Sequence, residues 1–382
     1  MDVQFKEGPT KMRKIVGFAI FVLCACAGVN VLFFSVTDDV TRQRLYSGYA
    51  YGSRHFANGP SSSKTIGALN ENVLQRITQR KLHDTQSINS SNPTASDERI
   101  YSFSVNPHRA CARNETTPGG ELWGLLTIVI SNVNNFKRRN AIRNTWGSTG
   151  NDTNSKLLFL VGLGVESRSY SAVTNEAKLY GDIIQVELLD QYKDLTYKSI
   201  AMLQWMIDYC PNAKFYMKTD DDVYANIENI VGALDSTKQR RKGFYCHVFK
   251  KAPAIRDINS KWYVSKTEYS GNVFPTYCAG PAYIFDASVI KDLYRSTLNS
   301  PFLSMEDVFI TGLSAKPLNL FHQHDGRMDF NRREPTGCVF QKTLAAHQMT
   351  EADMFVIFSQ LQSKEVDCDT NTNNYLTKFA DS

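Results

Sequence analysis

Three consecutive carboxylates, Asp220-Asp221-Asp222, follow a short strand-like stretch, Lys214–Lys218. Like charges crowded together are costly unless something positive binds them. Hard oxygen ligands suit Mg²⁺ or Mn²⁺. The same triplet, running into Val-Tyr-Ala-Asn-Ile, also reads as the start of a helix, since Asp favours the N-cap and first turn. A second acidic pair, Glu306-Asp307, precedes Val308-Phe309. There too a helix start competes with a chemical role, a general base whose pKa a helix N-terminus would hold low. His322-Gln323-His324-Asp325 would put two imidazoles on one face of a strand, but two histidines do not make a site, and a solvated loop is the simpler reading. His347, after Leu344-Ala345-Ala346, reads by itself as a core histidine. Aromatic residues gather at Lys261-Trp262-Tyr263-Val264 and from Phe274 to Tyr283. Such rings cover the apolar faces of sugars, stack on bases, or fill a core. Gly280-Pro281 among them implies a tight turn where backbone could approach a ligand.

The elements that must position these residues start at residue 121. Leu122–Ile130, Lys156–Val161, Asp182–Leu188 and Lys214–Lys218 are apolar runs of strand length. Between them Phe136–Trp146, Glu166–Tyr180 and a segment from Asp194 to Cys210 have helical patterns, with Asp194 placed to cap the last and Pro211 just beyond it. Strands alternating with helices predict an α/β fold with a mostly parallel sheet covered on both sides. In such sheets ligands sit beyond the carboxyl ends of strands, and the acidic triplet follows one such end.

Composition narrows the class. Of 382 residues 42% are apolar and 21% charged, which excludes wholesale disorder. The net +5 lies entirely before residue 121, so the long C-terminal part carries no surplus basic charge and a nucleic-acid partner is disfavoured. Residues 15–36 carry no charge and as a helix would span about 33 Å, enough for a bilayer. Lys11, Arg13 and Lys14 precede them and Asp38 and Asp39 follow, which places residues 1–14 in the cytosol. Ala25-Cys26-Ala27 resembles a signal-peptidase site, but the apolar run continues through Phe34, so the preferred reading is an uncleaved anchor. Residues 37–120 are Ser-, Asn- and Gly-rich and read as a stem; residues 121–382 form the folded lumenal domain. Sequons at Asn89, Asn114 and Asn151 agree with that compartment. So do six cysteines outside the anchor (Cys111, Cys210, Cys246, Cys278, Cys338 and Cys368), enough for three disulfides in any of 15 pairings.

Six segments stand in one order: Arg138-Arg139-Asn140-Ala141-Ile142-Arg143-Asn144-Thr145-Trp146-Gly147, Phe159-Leu160-Val161-Gly162, Tyr192-Lys193-Asp194-Leu195-Thr196-Tyr197-Lys198, Lys218-Thr219-Asp220-Asp221-Asp222-Val223-Tyr224, Tyr277-Cys278-Ala279-Gly280, and Glu306-Asp307-Val308-Phe309-Ile310-Thr311-Gly312. Together, behind an anchor and stem, they closely resemble the β-1,3-galactosyltransferase family (glycosyltransferase family 31), which also contains β-1,3-N-acetylglucosaminyltransferases. The resemblance covers residues 108–360, approximately.

The resemblance implies a GT-A fold, a UDP-hexose donor, Mn²⁺ and inversion at the anomeric carbon. It makes Asp222 and His347 metal ligands, puts Asp220 near the ribose with Asp221 beside it, and makes Asp307 the catalytic base. Arg139, Arg143 and Trp146 fall in the segment that helps form the nucleotide pocket. Tyr277, Cys278, Gly280 and Tyr283 fall in the motif that lines the sugar site; Glu306 and Trp262 are assigned to the same sugar and acceptor pocket. The implied protein is a single-pass type II Golgi enzyme that moves galactose, or alternatively N-acetylglucosamine, to the 3-hydroxyl of a terminal sugar on a glycoprotein or glycolipid. Homodimerisation is left open. Two other classes compete: a lectin-like pseudoenzyme, which should have lost a metal or base residue, and an adhesion domain with a Mg²⁺ or Ca²⁺ site, which would not need Glu306-Asp307.

Overall fold

The computed structural model describes residues 101–111, 123–150, 153–165, 167–236, 242–363 and Cys368. The tail (1–14), the anchor (15–36) and the sequons at Asn89, Asn114 and Asn151 lie outside the described residues. Among the described residues no helix is long and apolar enough to cross a membrane.

The expected alternation is present. Strand β1 (Phe103–Val105) is followed by β2 (Trp123–Ile130), α1 (Phe136–Arg143), β3 (Ser155–Leu163), α2 (Ser167–Tyr180), β4 (Ile183–Leu189), α3 (Leu195–Tyr209) and β5 (Ala213–Asp220). A second half adds β6 (Tyr224–Ala225), α4 (Ile227–Ser236), β7 (Gly243–Phe249), β8 (Tyr277–Asp286), α5 (Ile290–Asn299), β9 (Phe321–His324), β10 (Met328–Asp329), α6 (Gly337–Phe340), β11 (Ala345–Ala346) and α7 (Glu351–Gln362). The main sheet runs β1-β4-β3-β2-β5-β8-β7-β9. Its centre, β4-β3-β2-β5, is parallel, as the alternation predicts. Both flanks turn antiparallel, β1 on β4 and β8 between β5 and β7, so the sheet as a whole is mixed. A small sheet, β10-β11-β6, stands apart.

Burial on both faces explains the near-continuous apolar strands. Along β2, Leu126, Ile128 and Ile130 enter one core with Ile200, Leu203 and Trp205 of α3. Leu125 and Val129 point the other way, into a core with Ile142, Val173 and Ile230. The period of two along a strand thus feeds two separate helix layers.

Four sequence readings are corrected here. The folded domain begins before residue 121, inside the segment read as stem: β1 adds to the sheet edge, Gln204 brackets Tyr101 by accepting from its N–H (2.7 Å) and donating to its carbonyl (3.1 Å), and Cys111 is joined to Cys210. Short polar stretches look like linker, and only the contacts of β1 and Tyr101 reveal otherwise. Asp194 makes no side-chain cap on α3; it is buried in a 3-10 turn that precedes the helix. Gly280-Pro281 is not a turn but lies within β8, where the β7 pairing jumps from Cys246↔Tyr283 to Val248↔Cys278, so that residues 279–282 bulge opposite His247 alone. The Cys246–Cys278 disulfide joins the two strands beside that bulge. The acidic triplet does not start a helix either: β6 intervenes before α4. The remaining cysteines pair as Cys338–Cys368, which settles the choice among the 15 pairings.

Candidate active site

Strand β5 carries Lys218 and Asp220 on one face toward its carboxyl end. Lys218 is wholly buried, and a buried ammonium needs partners. It has three, from three elements: Asp220 Oδ1 at 2.6 Å, the Gly280 carbonyl on the β8 bulge at 2.7 Å, and Glu306 Oε2 at 3.5 Å. Burial alone would lower its pKa, but these carboxylates hold it above the ordinary lysine value. The lysine is therefore a fixed cation at the centre of the site.

Beyond the strand the three aspartates separate. Asp221 is buried and turned back into the protein, accepting from Ser131 Oγ (2.7 Å), Asn135 Nδ2 (2.8 Å) and Arg138 Nη1 (3.0 Å). It anchors the loop before α1 and has no face left for a nucleotide. Asp220 and Asp222 stay partly open, with side chains 29% and 26% exposed. One ligand atom each from Asp220, Asp222 and His347 lies within 4.8 Å of the others. Burial pushes Asp220 up to about 6, against the pull of Lys218. Burial would raise Asp222 as well, but His347 and Arg138 keep it below its usual value. The imidazole is oriented from behind: Nδ1 lies 3.1 Å from the Phe330 carbonyl, which fixes that nitrogen as the donor and leaves Nε2 facing Asp222 Oδ1 at 3.3 Å. The Met349 N–H donates to the Asp222 carbonyl at 2.8 Å and ties the two segments together. Two carboxylates and an imidazole held by a carbonyl are the donor set of a divalent-cation site, and hard or borderline ions such as Mn²⁺ fit it.

Asp307 follows Glu306, which Lys218 reaches at 3.5 Å. It precedes one turn of π-helix, Val308–Leu313, and accepts from the Val308 N–H at 2.8 Å, so the helix-start reading is realised in part. The low pKa expected there is not. Burial, then the charge of Glu306, outweigh the Val308 bond and the Lys218 charge and raise Asp307 to about 7. A carboxylate titrating there is poised to take a proton near neutrality. Its position is fixed by a relay from the sheet: Cys278 N–H donates to Thr311 Oγ1 (2.9 Å), which donates to the Asp307 carbonyl (2.6 Å). A Cβ on Gly280 would lie 3.1 Å from Asp307 Oδ2. The glycine allows the β8 bulge to approach the carboxylate, so the close approach here is to the protein's own Asp307. Glu306 is buried, accepting from Tyr283 Oη at 2.7 Å.

Several residues assigned to binding turn out to be supports. Arg139 is fully buried and all five of its N–H donors are used, on Glu176, Ser131 and the Asn132 and Val133 carbonyls, leaving none for a phosphate. Arg143 chelates Asp182 and reaches Glu176. Trp146 is buried at the far end of α1. Tyr283 is wholly buried and holds Glu306 rather than facing a ligand. Tyr277 is buried next to Asp307, and burial and that charge both raise its phenol. Trp262 is half exposed on the excursion between β7 and β8, with Lys261 Nζ 4.4 Å from its ring. His322 stacks on Phe244 and bonds the Thr311 carbonyl at 2.6 Å, and His324 accepts from the Val248 N–H; neither belongs to the cluster of metal-ligand side chains found among the described residues.

Two cations were missed. Arg138, not Arg139, reaches the acidic cluster, 3.0 Å from Asp221 and 3.4 Å from Asp222 with 36% of its side chain exposed. Lys218 carried a legible signal: a lysine inside an otherwise buried strand is rare unless it is paired.

A family profile described as Galactosyltransferase matches residues 137–326. Mouse β-1,3-galactosyltransferase 1 is 31% identical over 270 residues, covering 69% of this chain and 80% of that one. Gorilla β-1,3-galactosyltransferase 5 is 32% identical over 277 residues, 68% of this chain and 88% of that one. Among solved structures, the galactosyltransferase LgtC in complex with donor and acceptor sugar analogs aligns at 11% identity and a TM-score of 0.34, over 63% of this chain and 98% of that one, too distant to add an argument.

Proposed function

Since this chain belongs to the β-1,3-galactosyltransferase family, we propose that it is an inverting, metal-dependent β-1,3-galactosyltransferase of GT-A type, acting from UDP-galactose on the 3-hydroxyl of a terminal sugar of a glycoprotein or glycolipid. One observation carries the reading: a candidate cation site of Asp220, Asp222 and His347 on the same cluster as a carboxylate raised to about 7. Lys218 joins the two through Asp220 and Glu306, at the carboxyl end of a central parallel strand, where α/β sheets bind ligands.

Asp307 accepts the proton of the acceptor hydroxyl as its oxygen attacks C1 of the donor hexose from the face opposite UDP. One displacement at an α-linked donor gives a β linkage. Lys218 and the Val308 N–H keep Asp307 and Glu306 in place as the proton arrives, and Glu306 stays tied to Tyr283. Asp222 and His347, with Asp220 beside them, would hold Mn²⁺, which when bound neutralises charge on the departing diphosphate. Placement in the Golgi membrane through residues 15–36, with the catalytic domain lumenal, belongs to the same proposal; three disulfides support an oxidising compartment.

The full-length chain, assayed with UDP-galactose, UDP-N-acetylglucosamine and UDP-N-acetylgalactosamine against a panel of β-glycoside acceptors, tests this. Galactose transfer that needs Mn²⁺ and stops with EDTA supports it. Transfer of N-acetylglucosamine instead replaces the donor, and no transfer from any donor overturns the catalytic reading.

A further inference from the structure

Among the described residues, four other than glycine have a left-handed backbone: Asn154, Lys251, Asn319 and Gln348. Only Gln348, with φ at 61°, adjoins a residue of the cation cluster. That conformation crowds a side chain against its own carbonyl, so residues with a Cβ avoid it unless the surrounding structure imposes it. The Gln348 side chain does not impose it: it is exposed, and no hydrogen bond or ion pair to another described residue uses it. Its backbone is held instead. The Gln348 carbonyl accepts from Arg332 Nη1 at 2.6 Å, and Arg332 also bonds Asp353, which closes the capping box of α7 with Thr350.

The flanking residues show what the conformation does. β11 and β6 pair antiparallel, Ala345 with Ala225 and Ala346 with Tyr224, and in that register the Asn226 N–H donates to the Leu344 carbonyl at 2.8 Å. Carried on, the register would bring the Gln348 N–H to the Asp222 carbonyl. The Met349 N–H is there instead, at 2.8 Å, so the chain slips by one residue at Gln348. This is the geometry of a bulge whose extra residue is left-handed. In an extended run His347 and Met349 would also send their side chains to one face. Here they part: His347 Nε2 lies 3.3 Å from Asp222 Oδ1, while the Met349 side chain enters the core with Met354 and Ile357. Two residues on either side of Gln348 thus hold one aspartate, by its side chain and by its backbone.

We infer that Gln348 is a positioning residue of the cation site and acts through its backbone: the left-handed turn sets His347 Nε2 and the Met349 N–H on Asp222 together, which aligns two of the three candidate ligands. The inference rests on the metal part of the proposed function. It assigns no contact between the Gln348 side chain and the ion or the sugars.

The experiment measures Mn²⁺ affinity of the full-length chain with UDP present, by electron paramagnetic resonance of free Mn²⁺, beside melting temperature and transfer rate. Gln348→Val introduces a β-branched residue that resists the left-handed region, and should weaken Mn²⁺ binding roughly 10-fold, the scale on which outer partners of metal ligands act. Gln348→Gly and Gln348→Asn tolerate that region and should bind Mn²⁺ within about 3-fold of wild type, although each alters the side chain. Unchanged Mn²⁺ affinity in a folded Gln348→Val overturns the inference. Where Gln348→Val does not fold, the other two variants still decide: a loss of about 10-fold in either overturns the inference, because the side chain is then the part that matters. Both results leave the metal reading intact, whereas a wild type that binds no Mn²⁺ removes the metal reading and the inference together. Mn²⁺ binding that follows the expected order in a chain that transfers no sugar keeps the inference and removes the transferase reading.

Discussion

Two clusters of charge lie on either side of Ser131, built from the same residue types and finished differently. In the inner one, Arg139 and Arg143 face Glu176 and Asp182. Glu176 takes bonds of 2.8, 2.7 and 2.8 Å, Asp182 is chelated at 2.7 and 2.8 Å, and Arg143 also covers the rings of Phe159 and Tyr180. Two cations match two anions, and Glu176 is held below its ordinary pKa by both arginines despite its burial. In the outer cluster Asp220, Asp222, Glu306 and Asp307 share Lys218 and one edge of Arg138, itself shared with Asp221. There Asp220 and Asp307 are pushed up, not down. The first cluster balances its charges as folded, with only Arg143 Nη1 left unbonded; the second is short of positive charge and open. An acidic residue whose charge the fold does not compensate is the one that marks function.

That contrast breaks if the two clusters respond alike to substitution. Asp307→Asn should cut transfer by at least ~100-fold while UDP binding persists. It should also raise the melting temperature at neutral pH. The sign follows from a folded-state pKa above the unfolded one: the stability Asp307 contributes is present in acid and lost as pH rises from about 4 to about 7, a loss the amide does not suffer. A lower melting temperature would make Asp307 a structural carboxylate. In the inner cluster Glu176→Gln should do the reverse, destabilising by about 3–5 kcal/mol in denaturant titrations because it leaves a guanidinium buried without its anion. Glu176, with its lowered pKa, adds stability that is lost as pH falls through the acid range, so the wild type should weaken there and the variant less so.

Smaller effects sharpen the same division. His347→Ala should raise the Mn²⁺ needed for half-maximal transfer on the order of 10- to 100-fold, no less than loss of an outer partner of a metal ligand costs elsewhere. Unchanged Mn²⁺ dependence would remove His347 from the site. The acid limb of the pH–rate profile should fall near 7, with rate rising as Asp307 deprotonates; Lys218→Met should move that limb to higher pH, because Lys218 lowers the Asp307 pKa. At the bottom of the scale, Arg332→Ala removes an exposed pair with Asp353 and should change stability by no more than ~1 kcal/mol.

Both clusters are visible in the sequence as charged letters, and their unequal finish is not. The strand end that carries the acidic triplet is legible from the apolar run before it, as are the helices that cover it. Asp221 is not: β5 ends at Asp220, so strand alternation does not reach it, and only its bonds to Ser131, Asn135 and Arg138 set it apart from its neighbours. Arg139 is harder. It lies one residue from Arg138 on an exposed-looking basic helix, and nothing local says that its five donors are consumed by Glu176, 37 residues on, and the Ser131–Val133 segment. The three disulfides were countable but not assignable, because pairing is a matter of distance in space.

The sequence by itself determined the chemistry on offer: hard carboxylate ligands, a late histidine, a second acidic pair, and an alternating α/β order that must put the triplet at a strand's carboxyl end. Those depend on residue type and on short periods, which are local. The tertiary structure decided which of them act together. It chose Asp220 and Asp222 over Asp221, brought His347 to them from more than 120 residues away, placed Lys218 between Asp220 and Glu306, and set Asp307 near neutrality. A pKa and a ligand set depend on burial and on distances of a few ångströms between residues far apart in the chain, and only the closed fold sets those.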